Sequence, residues 1–133
     1  MRRESKFINY FKSLLPKEWV FYKIPDSIPS SEHRFIKKKP YDAILYTKRD
    51  VYSLEFKAPK DRFAFDSLRQ HQEEALSAVN ELGHPALLVI FFDKNTWTFL
   101  SIEHYKQLRK FSHKKSVNKK DIVMSTTIED ITL

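Results

Sequence analysis

The sequence predicts an α/β fold, a mixed β-sheet with helices packed against it, and three observations lead there. Apolar periodicity switches along the chain in the order helix, strand, hairpin, helix, strand, strand, helix. Pro85–Phe92 is an apolar run bounded at both ends, as expected of a strand buried on both faces. With 133 residues, 41% of them hydrophobic and 14% aromatic, the chain has enough apolar surface for one core and far more than a disordered chain carries.

Taken in order, residues 3–15 suit an amphipathic helix, because Phe7, Ile8, Phe11, Leu14 and Leu15 recur at helical spacing before Pro16. Glu4 precedes Phe7 and Ile8 by three and four residues and so shares the inward face. It is either a carboxylate reaching into a buried site or a first-turn glutamate favoured by the helix dipole. Trp19–Ile24 reads as a short strand ended by Pro25. The prolines, serines and lysines from Pro25 to Pro40 make a loop. Tyr41–Thr47 and Val51–Ala58 are two strands reversing at Lys48-Arg49. Pro59–Arg62 breaks the second.

A helix is expected from Ser67 to Leu82, with Ser67 and Gln70 as capping box and Gly83, the single glycine, at its end. Leu68, Ala75, Leu76, Val79 and Leu82 form its buried stripe. Gln72 falls on that stripe, where it needs a partner: the site described next or a neighbouring backbone group. His71 points elsewhere on the helix. Asp93–Thr96 turns the chain into a strand to Ser101, and Phe91, Phe92, Trp97 and Phe99 read as core. Glu103–Phe111 is a short helix. Residues 1–111 thus form the domain, and residues 112–133 a basic linker, flexible or DNA-contacting, and a tail that adds a strand or pairs with another subunit.

Composition narrows the function. Lys and Arg number 24 against 17 Asp and Glu, a net charge of +7 that suits a polyanion, nucleic acid before an anionic membrane. The absence of cysteine excludes disulfides and thiolate metal sites. No run of eighteen apolar residues occurs, and Met1-Arg-Arg-Glu lacks the apolar stretch of a signal peptide. A soluble, intracellular (cytoplasmic) protein with no membrane partner is expected.

The hairpin carries the chemistry. If it is symmetric about Lys48-Arg49, partner numbers sum to 97, Asp42 faces Glu55, and Lys57 projects from the same face. Two adjacent carboxylates repel unless one is protonated or a cation lies between them, and Mg²⁺ is a hard cation that takes such ligands. Lys57 beside them would orient a water or steady charge on a phosphorus centre. The plain alternative is a hairpin with charges on a solvated face, since Tyr52, Leu54 and Phe56 alternate with Val51, Ser53, Glu55 and Lys57 as in a half-exposed strand. Lys37, Lys38, Lys39, Lys48, Arg49, Lys60 and Arg62 flank the pair, to grip phosphates or simply to be solvated.

Pro40-Tyr41-Asp42, followed thirteen residues later by Glu55-Phe56-Lys57, resembles the PD-(D/E)xK nuclease superfamily. Within it the chain is most similar to the RecU-like and archaeal Holliday junction resolvases. Phe21–Pro25 resembles their first strand, Phe65–Leu68 with His71-Gln72 through Leu76 their following helix, and Glu4 with Ile8-Asn9 their opening helix. The resemblance implies a restriction-endonuclease-like mixed β-sheet flanked by helices. It also implies a Mg²⁺- or Mn²⁺-dependent endonuclease acting as a homodimer on four-way DNA junctions. By the same resemblance Asp42, Glu55, the Phe56 carbonyl and Glu4 would hold the metal or its water, Lys57 would align or activate the water, and Gln72 would support the site. Tyr41 separates Pro40 from Asp42, and the chain shows no clear junction-inserting stalk. Two alternatives stay open: a nuclease of the same superfamily acting on single strands, ends or duplex, and a non-catalytic DNA-binding module of the same fold.

Overall fold

The computed structural model describes residues 2–25 and 39–119. Lys37 and Lys38 of the basic loop, and the tail Ile122–Leu133, lie outside the described residues.

A five-stranded sheet forms the centre, in the order β1 (Val20–Lys23), β2 (Ala43–Tyr46), β3 (Val51–Lys57), β5 (Ala86–Asp93), β6 (Thr96–Ser101). All neighbours are antiparallel except β3 and β5, which run parallel and therefore need a crossover. The crossover contains β4 (Arg62–Ala64), a single 3₁₀ turn (Phe65–Ser67) and α2 (Gln70–Glu81). Helix α1 (Arg3–Ser13) covers one face; α2 and α3 (Ile102–Phe111) cover the other.

Strand alternation divides the core between these faces. Leu87, Val89 and Phe91 of β5, with Leu54 and Phe56 of β3, pack on Phe7, Ile8 and Phe11 of α1. Leu88, Ile90 and Phe92 point the other way, toward Leu76, Ile102 and Tyr105. β5 is thus buried on both faces, as its unbroken apolar run predicts. Phe11 is fully buried among the rings of Phe56 (5.2 Å), Trp97 (5.9 Å) and Phe21 (6.2 Å).

The hairpin register is the predicted one: Ala43 pairs with Leu54 and Tyr46 with Val51. Lys48-Arg49 makes a workable turn because Thr47 holds it. The Thr47 hydroxyl oxygen accepts the N–H groups of Arg49 and Asp50, and its O–H donates to the Asp50 carbonyl.

Several expectations need correction. The second hairpin strand is not half-exposed: Ser53 and Glu55 are buried, because α2, distant in sequence, lies over their face. Helix α2 starts at Gln70 rather than Ser67, whose hydroxyl instead donates to the Ala64 carbonyl within the 3₁₀ turn. Its first-turn cap comes from Gln72, which accepts the Arg69 N–H at 3.0 Å. Leu82, placed on the buried stripe, ends the helix 77% exposed, because Gly83 at φ +93° turns the chain there. Of the stretch expected as a basic linker, Ser116–Asn118 forms β7, antiparallel to β4, and the Lys119 ammonium donates to Asp93 at 2.6 Å. Three-residue strands are too short to show a period.

Truncating Phe11 to alanine should remove about 3–5 kcal/mol of stability. Urea unfolding of this variant should show a lower midpoint at unchanged slope; a loss under about 1 kcal/mol would mean that α1 does not close this half of the core.

Candidate active site

The site begins where β2 stops. Past Ala43 the ladder is irregular: the Asp42 N–H donates to the Leu54 carbonyl (2.9 Å), and its own carbonyl accepts the Ile24 N–H (2.8 Å). The Phe56 N–H would therefore lack its partner on β2, and the Asp42 carboxylate supplies one, with Oδ2 accepting it at 2.8 Å. The N–H and C=O of a strand residue leave on the same side, so the Phe56 carbonyl opens toward Asp42 as well. Lys39 closes the other oxygen, its Nζ lying 3.0 Å from Asp42 Oδ1. Asp42 is 3% exposed.

Glu55, at 2% exposure, lies on the face covered by α2. Its Oε2 accepts a hydrogen bond from Gln72 Nε2 at 3.0 Å and lies 3.4 Å from Lys57 Nζ. The Gln72 Oε1 in turn accepts from Lys57 Nζ (3.2 Å) as well as the Arg69 N–H. Only one orientation of this amide works, because the flipped one would set its NH₂ against an ammonium and its oxygen against a carboxylate. Gln72, placed on the apolar stripe by its spacing, therefore ties β3 to α2 through both charged side chains. Glu55 Oε1 is different: buried, it has no hydrogen-bond partner among the described residues.

Glu4 enters from α1 and is half-buried. Burial raises its pKa above the ordinary value and the Asp42 charge raises it further, while Lys57, Lys39 and Arg2 pull it down. Burial likewise pushes Glu55 up to about 8, with Asp42 and Glu4 adding to the shift and Lys57 opposing it. Three carboxylates thus share one field with two close ammonium groups, those of Lys39 and Lys57. Among the described residues no three acidic or histidine side chains close on a single point at coordination distance. What fits a hard divalent cation is the all-oxygen donor set and the orphaned Oε1 of Glu55.

One residue that the sequence reading missed holds these parts together. Arg3 donates through Nε to the Ala58 carbonyl (3.0 Å) and through Nη2 to the carbonyls of Pro59 (3.0 Å) and Phe92 (2.5 Å). It also stacks over Phe7 at 5.0 Å. The guanidinium pins the first turn of α1, which carries Glu4, to the ends of the two parallel strands. An arginine near a terminus gives no such signal in sequence.

The expected phosphate-gripping residues separate. Lys60 and Arg62 are exposed just beyond Lys57, at the site's end of the sheet, and Lys39 is on Asp42. Lys48 and Arg49 sit at the hairpin tip, about 20 Å of extended chain away from Asp42.

Neither a protein-family model nor a curated relative matches the sequence. The structure does match solved ones. One is Hjc of Archaeoglobus fulgidus, described as a Holliday junction resolvase from an archaeal hyperthermophile. The two agree with a TM-score of 0.54 at 14% identity, over 88% of this chain and 85% of that one. The chain therefore has the restriction-endonuclease-like fold of that protein. Among the described residues no helix is long and apolar enough to cross a membrane.

The raised Glu55 carboxyl predicts a pH-dependent stability. Below the ordinary value of 4.5 both folded and unfolded chains carry this proton. Between there and about 8 the folded state keeps a proton the unfolded chain releases, so the contribution to stability falls as pH rises and levels off above. In chelator, Glu55→Gln should unfold in urea with a shallower decline across that window than the parent. Parallel declines would show that Glu55 titrates like an ordinary surface carboxyl.

Proposed function

We propose that the chain is a metal-dependent endodeoxyribonuclease that hydrolyses phosphodiester bonds in branched DNA, with Asp42, Glu55 and Lys57 as its central residues. The observation that carries this is the burial of two carboxylates at one end of the sheet, beside a partly buried ammonium and with one carboxylate oxygen left without a donor among the described residues. Two carboxylates buried side by side repel each other even with an ammonium on each, and a solvated hairpin face has no reason to hold such a pair. Perturbed carboxylates beside a specific cation are what a chemical site requires.

Asp42, Glu55 and the Phe56 carbonyl would hold Mg²⁺ or Mn²⁺, with Glu4 contributing a direct ligand or an acceptor for a water. Such an ion supplies positive charge to a phosphate oxygen and acidity to a water molecule. The chain's own groups do the rest. Gln72 fixes Glu55 Oε2, and Oε1 is the oxygen that would be offered to the ion. Lys57, held by Glu55 and Gln72 and 15% exposed, presents its ammonium where negative charge grows on phosphorus and at the leaving oxygen. Lys60 and Arg62, exposed at the same end, steer and hold the phosphate backbone. The fold shared with a junction resolvase supports a four-way junction as substrate and a homodimer in which each subunit cuts one strand.

The test mixes the protein and Mg²⁺ or Mn²⁺ with labelled four-way, duplex and single-stranded DNA. Paired symmetric nicks in the junction are expected. Cutting confined to duplex, ends or single strands would give a nuclease of other specificity, and binding without cutting a DNA-binding module. Glu55→Gln should abolish cutting while DNA is still bound, and Lys57→Ala should slow it about 10²–10³-fold. Unchanged cutting by Glu55→Gln would refute its role. Calorimetry should show Mn²⁺ binding that Asp42→Asn weakens, and DNA affinity should fall steeply with added salt.

A further inference from the structure

Sheet register leaves one face partly bare. Val20 pairs with Tyr46 and Tyr22 with Ile44, and Tyr46 and Ile44 pair in turn with Val51 and Ser53. Directly opposed residues share a face, so these side chains lie on the same face as Glu55. Helix α2 packs on that face over β3 and β5, and among the described residues the side chains of β1 and the outer part of β2 on this face stay in solvent. Val20 is 57% exposed, Tyr22 59% and Tyr46 44%. Their neighbours Phe21 and Leu45 point to the α1 side and pack in the core, so the exposure belongs to the face and not to a loose edge.

The bare face runs from Asp42 to the hairpin tip, where Lys48 and Arg49 are exposed. Lys39 lies at its acidic end beside Asp42, so with Lys48 and Arg49 three cations bound the face, against Asp42 at one end and Asp50 at the other. We infer that Tyr22 and Tyr46 are a stacking platform for unpaired bases of a nucleic-acid strand that leads from the acidic site toward Lys48 and Arg49. Aromatic side chains exposed on a sheet face take bases by stacking, and bases offer their faces only where they are unpaired. Cations at the rim take the phosphates of the same strand. A second copy of the chain fits less well. The patch has about five apolar side chains where a stable interface uses roughly 20–30 residues a side, and both copies would carry +7. The inference rests on the nucleic-acid reading above and deepens it: the substrate carries an unpaired stretch beside the bond to be cut.

The test uses the full chain in chelator, so that binding is read without cutting. Anisotropy is measured with a fluorescent single-stranded oligonucleotide and a blunt duplex of equal length, and 2-aminopurine quenching reports stacking. Replacing both Tyr22 and Tyr46 by alanine should weaken single-strand binding about tenfold or more and abolish the quenching, with duplex affinity kept within about twofold. The double phenylalanine variant should retain single-strand affinity, which also serves if the alanine protein folds poorly. Unchanged single-strand affinity in the alanine variant, equal losses for both DNAs, or loss in the phenylalanine variant would overturn the inference. So would sedimentation showing a parent dimer that the alanine variant converts to monomer, since the face would then join two copies. Cleavage with Mg²⁺ is scored separately. A parent that never cuts but binds through the tyrosines sinks the nuclease reading alone, and one that cuts without needing them for single strands sinks only this inference.

Discussion

The hydrogen bond from the Phe56 N–H to Asp42 is the contact on which the rest of the site depends. It is made because β2 leaves the ladder at Asp42, so a side chain completes the rung that the backbone no longer can. A carboxylate in that role is fixed in direction by the sheet itself and needs no support from a loop. It also brings a negative charge into the interior beside Glu55, and like charges in a low-dielectric setting repel strongly. The surrounding groups answer that repulsion: Lys39 on one carboxylate, Lys57 and Gln72 on the other, and a raised proton affinity at Glu55.

The topology explains why these groups can meet. A parallel β3–β5 pair requires a crossover, and the helix in that crossover returns over the face that carries Glu55. Gln72 is the polar residue of its first turn that looks inward, so the helix delivers an amide to a place where an apolar residue would leave charges unsatisfied. On the opposite face α1 brings Glu4 to the same end of the sheet, held by the Arg3 guanidinium on three backbone carbonyls. Three elements from two sides of the sheet thus converge at one strand end. Mixed sheets are suited to this, because strand ends are where backbone groups run out of partners.

The same sheet is asymmetric in its cover. Helices α2 and α3 lie over β3, β5 and β6, while β1 and β2 keep tyrosines and a valine in solvent. The acidic site sits on the boundary between the covered and the bare part. Water is thus kept from Glu55 by α2, while Lys39 caps the outer oxygen of Asp42.

Much of this was legible in the residues alone. Periodicity placed α1, the hairpin, β5, β6 and α3 close to their observed bounds, because apolar spacing reports which face an element buries. The hairpin's symmetry about Lys48-Arg49 gave the register from Ala43 to Val51, and parity put Glu55 and Lys57 on one face, whereas Asp42 comes to them from beyond the regular ladder, on the Phe56 N–H. The position of Gln72 on an apolar stripe marked it as needing a partner. What the chain could not show locally was set by contacts between distant segments. The burial of Glu55 depends on α2 lying over β3, the tether at Arg3 on carbonyls more than fifty residues away, and the β4–β7 pair on strands too short to carry a pattern. The sequence by itself determined which groups would share a face. Only the tertiary structure decided which of those faces water could reach, because solvent exposure depends on the packing of whole elements and not on the order of neighbours along one strand.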